Sequence, residues 1–268
     1  MHSNEFFLFD TGQATDVGCH REVNEDSFLT RPDYGVWAVS DGMGGHAAGD
    51  FASQTIVREL NSIGVPSSAE DLQARFMQRL TRANEIIVQH AVELGWGTIG
   101  STVVALLIHG EEYAIIWSGD SRAYLLLDGH LVQQSRDHTE VRALLDAGSI
   151  TAEEAAQWPR KNVITRAIGV TDFPHCDSVT GRLQSGAVFV LCSDGLNEHL
   201  TDAEIAQHAA SLPPQQSCNA MIAETLARGA RDNVTVVTVN CRRLPPPVAN
   251  ELSEDDITVQ LEGGVVGQ

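Results

Sequence analysis

The stretch Val36-Trp37-Ala38-Val39-Ser40-Asp41-Gly42-Met43-Gly44-Gly45-His46-Ala47-Ala48-Gly49 decides how the rest of this chain is read. The apolar run from Val36 to Val39 predicts a strand buried on both faces. Ser40 and Asp41 end it, and glycines follow before a helix begins. A carboxylate at the end of a rigid strand is firmly placed, and glycines beside it let another backbone or a ligand approach. An Asp at such a junction is also an ordinary turn or cap residue. The sharper reading gains ground because the design recurs. Ile115-Ile116-Trp117-Ser118-Gly119-Asp120 and Val188-Phe189-Val190-Leu191-Cys192-Ser193-Asp194-Gly195 are also apolar strands ending in Asp.

Two further aspartates stand just before strands. Asp26 precedes Ser27–Thr30, and Asp232 precedes Asn233–Val239, which is nearly all Val and Thr. In an antiparallel pair the start of one strand lies beside the end of its neighbour. Pairing 27–30 with 36–40, and 188–193 with 234–239, puts Asp26, Asp41, Asp194 and Asp232 at one end of the structure. So many carboxylates repel unless positive charge sits among them. A pair or trio of hard divalent cations, which take oxygen ligands, answers that need.

Composition narrows the function classes. The chain has 268 residues, 43% of them hydrophobic, and a net charge of −19. A surface that acidic disfavours nucleic acid and anionic membranes. The five cysteines are scattered, with no C-x-x-C pair, so neither a zinc site nor a disulfide framework is indicated. The opening Met1-His2-Ser3-Asn4-Glu5 lacks a basic segment followed by an apolar core. No apolar run reaches the ~18 residues of a membrane span. The expectation is a cytoplasmic protein with reduced thiols.

Along the chain, residues 5–17 read as extended and 27–41 as a hairpin. Ala48, Ala52, Ile56, Leu60 and Ile63 put one apolar face on a helix at about 46–62. Leu72, Phe76, Leu80, Ala83, Ile87, Ala91 and Leu94 do the same at 68–94. Strands follow at 102–108, 113–117 and 122–127, and Asp128-Gly129 is a hairpin-turn signal. Short helices occupy 139–158, where Thr151-Ala152-Glu153-Glu154 is a capping pattern. Strands resume at 175–182 and 187–193, then helices at 201–210 and 214–228, then a strand at 233–240. After Arg243, Pro245-Pro246-Pro247 breaks the pattern, and 244–268 reads as a flexible C-terminal tail. Blocks of strands with tight hairpins predict an α+β fold of antiparallel sheets packed face to face with helices outside. One domain over 1–243 is expected, with the charged insert at about 139–165 as a helical flap.

Eight segments then line up in order: Gly18-x-x-Arg21-x-x-Asn24-Glu25-Asp26, Asp41-Gly42-Met43-Gly44-Gly45-His46, Gly100-Ser101-Thr102, Gly119-Asp120-Ser121-Arg122, Arg136-Asp137-His138-Thr139, Thr165-Arg166-Ala167-Ile168-Gly169, Ser193-Asp194-Gly195-Leu196 and Arg231-Asp232-Asn233-Val234-Thr235. This series resembles the PPM/PP2C family of metal-dependent protein serine/threonine phosphatases, in the compact form of its bacterial branch. Relatives paired with a kinase near type VI secretion clusters look especially similar. The resemblance implies a four-layer α/β/β/α sandwich. It implies two Mn²⁺ or Mg²⁺ ions, bridged by Asp41, with the Gly42 carbonyl on one and Asp194 and Asp232 on the other. Glu25 and Asp26 would act through metal-bound water. Asp120, with Asp194, would form a third, weaker site, for which the competing role is to fix the turn between two strands. Arg21 would grip the substrate phosphate, its competing role being a surface ion pair with Glu22 or Glu25. Met43 stands where some eukaryotic relatives carry a candidate general acid, which leaves the proton donor open. His46 is a candidate accessory residue or a lining residue of the following helix. His138 and Arg122 read as structural.

The chemistry agrees with these residue types. Two metals about 3.5–4 Å apart can share a water, lower its pKa and present hydroxide in line with the leaving oxygen. A guanidinium binds phosphate oxygens bidentately and keeps its charge. The reading is therefore hydrolysis of phosphoserine and phosphothreonine on proteins, opposing a cognate Ser/Thr kinase, by a monomer with no nucleic-acid or membrane partner. Two other readings compete. A silent phosphoprotein-binding pseudophosphatase would have no need of the full acid set. A two-metal nuclease would need a basic groove.

Overall fold

Val36 to Val39 can be apolar at every position because both faces of their strand are covered. Val36 and Ala38 pack under helices, whereas Trp37 and Val39 face a second sheet. The computed structural model describes residues 7–44, 48–95, 97–160 and 162–244. Their elements are β1 (Phe7–Asp16), β2 (Asp26–Arg31), β3 (Val36–Met43), α1 (Ala48–Asn61), α2 (Ala69–Leu94), β4 (Gly100–Ser101), β5 (Val103–His109), β6 (Glu112–Ser118), β7 (Arg122–Leu127), β8 (His130–Gln133), α3 (Glu140–Asp146), α4 (Ala152–Ala156), β9 (Asp177–Arg182), β10 (Val188–Cys192), α5 (Asp194–Asn197), α6 (Asp202–Ser211), α7 (Pro214–Ala227) and β11 (Val234–Arg243).

Two antiparallel sheets result. One runs β1-β11-β10-β7-β8, the other β2-β3-β5-β6-β9, with β4 paired to β3. Strand alternation sorts the core into three slabs. On β5, Val103, Ala105 and Leu107 meet α1 and α2, while Val104, Leu106 and Ile108 meet the other sheet. On β10, Phe189 and Leu191 point between the sheets, while Val188, Val190 and Cys192 point toward α5, α6 and α7. The α+β, α/β/β/α architecture expected from the sequence is the one observed.

Local signals act as read. Asp128 and Gly129 both take positive φ, 50° and 79°, in the β7–β8 hairpin, the turn chemistry that Asp-Gly favours. Thr151 and Glu154 form the reciprocal capping box of α4. Helix α2 starts on Ser68, whose side chain accepts from the Asp71 N–H, and stops at Gly95 in the left-handed region. Element ends differ from the sequence reading by a few residues. Asp26 is the first residue of β2, and β11 continues to Arg243. The pairing of β1 with β11 and the short α5 beginning at Asp194 were not legible from periodicity. Neither α3 nor α4, in the 139–165 segment, has a buried residue. His46 and residues 245–268 lie outside the described residues.

One polar residue interrupts the apolar face of α2. Asn84 is fully buried; its Oδ1 accepts from Gly169 N–H at 2.7 Å and its Nδ2 donates to Thr171 C=O at 2.8 Å. Both partners are backbone groups, so the amide has one consistent orientation. It fastens the 169–171 strap to the helix layer. Asn84→Ala leaves the buried Gly169 N–H without its partner and removes the tie to the Thr171 carbonyl, which should cost about 1–3 kcal/mol of stability, read as a lower urea midpoint. An unchanged midpoint would show that the strap is held by other contacts.

Candidate active site

The β2–β3 ladder sets Asp26 and Asp41 directly opposite each other. The Asp41 backbone is pinned by β4 and the residue after it. Asp41 C=O accepts from Thr102 N–H and from Ser101 Oγ, both at 2.8 Å, and Asp41 N–H donates to Thr102 Oγ1 at 3.1 Å. Gly42 N–H donates to the Glu25 carbonyl at 3.1 Å. A Cβ on Gly42 would lie 2.1 Å from the Gly49 carbonyl oxygen, so only glycine lets β3 pass this close to α1. Gly49 N–H in turn donates to Glu25 Oε1 at 3.2 Å.

The other sheet delivers the remaining acids. Asp194 opens α5 at the end of β10. The preceding Ser193 accepts from Thr235 N–H at 2.9 Å and donates its Oγ proton to Asp26 Oδ2 at 2.7 Å, which ties the sheets together at the acids. Asp232 precedes β11, and Arg21 Nη2 donates to its Oδ2 at 2.7 Å. Asn233, nearly buried, holds the loop that carries Arg21. Its Nδ2 donates to the carbonyls of Val17 and Val23 at 2.9 and 3.0 Å, and its Oδ1 accepts from Glu25 N–H at 2.8 Å. Asp120 sits in the β6–β7 turn and is buried.

Arg21, Glu25, Asp41, Gly42, Asp120, Asp194 and Asp232 therefore line one cleft of about 380 Å3, with Asp26 behind them. Arg21 pairs with Asp232, not with Glu22 or Glu25. Arg122 pairs with Asp137, its Nε and Nη2 donating at 2.7–3.1 Å. Asp120, Asn162 and Asp194 also border a second cavity of about 280 Å3 beneath α3 and α4. Sequence reasoning assigned no role to Ser101, Thr102, Ser193 or Asn233. All four are buried polar residues whose role shows only in their contacts with the acids and the Arg21 loop.

Crowding shows in the titration of the acids. Burial, then the charges of Asp26, Asp194 and Asp120, raise Asp41 well above the usual carboxylate range. Burial and the charge of Asp194 push Asp120 up to about 8. Burial pushes Asp26 up to about 7 against the hydrogen bonds of Ser193 and Thr235. Burial, Glu198 and Asp232 push Asp194 up to about 6, partly offset by a hydrogen bond with Asp41. Burial also raises Glu25. Among the described residues lining the cleft, Arg21 is the single cation.

These residues fit hard divalent cations. The donor set is oxygen only, its charge is under-compensated, and Asp26 Oδ1 is buried with no partner among the described residues. No three His, Cys, Asp or Glu side chains among the described residues converge as a ready-made ligand set; Asp232 engages Arg21 and Asp26 engages Ser193.

Known proteins resemble this chain over most of its length. The family model described as "Protein phosphatase 2C" matches residues 20–234. The serine/threonine protein phosphatase PstP of Mycobacterium tuberculosis is 34% identical over 261 residues, covering 95% of this chain and 50% of the relative. This chain thus spans about half the length of that relative. Among solved structures, PppA, described as a key regulatory component of T6SS in Pseudomonas aeruginosa, superposes with a TM-score of 0.81 at 37% identity, covering 87% of this chain and 98% of that one. The catalytic domain of PstP in complex with two manganese ions gives 0.80 at 32% identity, covering 88% and 99%. The matched span runs from the Arg21 loop to the start of β11 and takes in every acid of the cleft, and the chain belongs to the protein phosphatase 2C family.

Proposed function

We propose that this chain hydrolyses phosphoserine and phosphothreonine monoesters on proteins in a metal-dependent reaction, opposing a cognate Ser/Thr kinase. The observation that carries the reading is the gathering of Asp26, Asp41, Asp120, Asp194 and Asp232 around one cleft with Arg21 at its side. Asp41, the Gly42 carbonyl, Asp194 and Asp232 would hold two Mn²⁺ or Mg²⁺ ions, with Glu25 and Asp26 acting through water and Asp120 with Asp194 holding a third, weaker one. When bound, such ions lower the pKa of water and offset the charge of the phosphate. Arg21 is half exposed and reaches over the cleft from its loop, which suits a guanidinium that moves from Asp232 to a phosphate. Met43 carries no proton to give, so the leaving alkoxide depends on water ordered by Asp120 and its neighbours. Families that share this cleft through a fold alone can lose turnover, but a binding module has no use for five crowded acids. Among the described residues no helix is long and apolar enough to cross a membrane. A monomer working in the cytoplasm on phosphoproteins is the simplest setting, with 1–243 as the catalytic domain and 139–165 as its flap.

Asp41→Asn replaces a two-oxygen anion by one neutral oxygen. It should lower kcat on a small aryl phosphate by at least about 100-fold while the far-UV circular dichroism stays as in the parent. Near-parental kcat at saturating Mn²⁺ would remove Asp41 from the site. Arg21→Ala should act mainly on KM, raising it about 10- to 100-fold, the worth of hydrogen bonds to a charged group. A collapse of kcat at constant KM would place Arg21 in the transition state instead.

The raised acids also set a pH dependence. In chelator, the folded chain keeps protons on groups that titrate near about 4 when unfolded. Stability from those protons is complete below that range and is lost as pH climbs through about 6, 7 and 8, the values of Asp194, Asp26 and Asp120. Tm in EDTA should therefore fall from pH 5.5 to 8.5, and excess Mn²⁺ should flatten the slope by replacing the protons. A Tm that rises with pH in EDTA would contradict this account.

A further inference from the structure

The sequence gives His138 a structural role only, yet its contacts are unusually directed. It is 8% exposed and stands just ahead of α3. Both backbone polar groups of Gly119 end on it. Gly119 N–H donates to His138 Nδ1 at 3.1 Å, and Gly119 C=O accepts from His138 N–H at 2.9 Å. A nitrogen that receives an N–H must carry its lone pair, so the proton of the neutral ring is on Nε2. Nε2 lies 3.1 Å from Asp177 Oδ2 on β9 and 3.3 Å from Arg166 Nη1; with Nδ1 taken up as the acceptor of Gly119, Nε2 donates to the nearer Asp177 oxygen. Arg166 Nη1 donates to the other Asp177 oxygen at 2.8 Å, which orients that carboxylate. The Trp117 ring stacks on the imidazole at 6.1 Å and 21°, and is itself fixed by Nε1 donating to the Arg136 carbonyl at 2.9 Å. Turning the ring over would set Cδ2–H against the Gly119 N–H and Cε1–H against Asp177, losing both hydrogen bonds, so the acceptor edge is held toward Gly119.

What is locked matters for the cleft. Gly119 has φ +112°, and a Cβ there would lie 2.6 Å from the Thr102 side chain. The turn is thus pressed against the residue that pins Asp41, and the next residue is Asp120. We propose that His138 is a positioning residue for the reaction: its Nδ1 holds the Gly119–Asp120 turn and thereby sets where the Asp120 carboxylate stands in the cleft. The proposal rests on the reading of Asp120 as a ligand of the weakly held ion. A histidine that only filled space would be replaceable by an apolar residue of similar size. A histidine that positions would be replaceable by a residue that keeps the acceptor.

The test uses the full chain in three variants, His138→Leu, His138→Asn and Asp120→Ala. Each is measured for Tm, for kcat and KM on an aryl phosphate across a Mn²⁺ titration, and for hydrogen exchange of the Gly119 amide by NMR in chelator. His138→Leu should lower kcat about 10- to 100-fold, as loss of an outer-shell partner does, with KM within about twofold. It should also raise the Mn²⁺ concentration for half-maximal kcat and speed exchange at Gly119. His138→Asn, whose Oδ1 can accept the same N–H, should recover most of the kcat and the slow exchange even where its Tm is as low as that of the leucine variant. Asp120→Ala should reproduce the kcat loss and leave Gly119 exchange slow. Leucine and asparagine variants that behave alike, or slow Gly119 exchange in His138→Leu, would overturn the clamp. Parental kcat and Mn²⁺ dependence in Asp120→Ala would overturn the Asp120 reading itself, and with it the catalytic purpose of the clamp. If His138→Leu does not fold, His138→Gln replaces it, since its longer amide reaches toward Asp177 and withdraws the acceptor from Gly119.

Discussion

The mutual repulsion of Asp26, Asp41, Asp120, Asp194 and Asp232 is the constraint around which this fold is built. Carboxylates that share a low-dielectric site push one another apart or take up protons. Here they can do little of the first, because each is carried by backbone that has nowhere to go. Asp41 is bonded on both sides through Ser101 and Thr102. Asp26 is opposite Asp41 in a ladder and bonded through Ser193 to the other sheet. Burial first, and then the charges of neighbouring acids, therefore favour protons on these groups, and bound cations would take the place of those protons.

Glycine makes the crowding geometrically feasible. At Gly42 and Gly195 another backbone passes where a Cβ would be, within 2.1 and 2.0 Å of carbonyl oxygens. Backbones that touch in this way bring the residues beside them closer than packed side chains allow. Gly195 thus brings Asp194 toward Asp232 at the ends of neighbouring strands of one sheet, and Gly42 brings Asp41 toward Glu25 and the start of α1.

Much of this was legible in the sequence, and the limits have physical causes. The unbroken apolar runs at 36–39, 103–108 and 188–192 reveal strands covered on both faces, and with the Asp-Gly turn at 128–129 they give the sandwich. Acids at strand ends give the cleft, since antiparallel neighbours share ends. Partners far apart in the chain were not legible. Nothing near Phe7–Asp16 says that its neighbour is Val234–Arg243, and nothing near Arg21 says that its carboxylate is Asp232. Small polar residues were the other gap. Ser193, Thr102 and Asn233 look like ordinary strand-end residues, and only the three-dimensional contacts show that they hold the acids and the Arg21 loop.

The pairing of the first described strand with the last has a consequence for synthesis. Among the described residues strand β1 finds its ladder only in β11, from Phe7 opposite Arg243 to Asp16 opposite Val234. The Arg21 loop, which follows β1, is tethered by Asn233. A nascent chain on the ribosome that has exposed β1 through β10 still lacks both β11 and the Asn233 just ahead of it. Pairings so distant in sequence also form late and slowly. Among the described residues the cleft is thus completed by the last strand, so a growing polypeptide has no assembled cleft until β11 has been made.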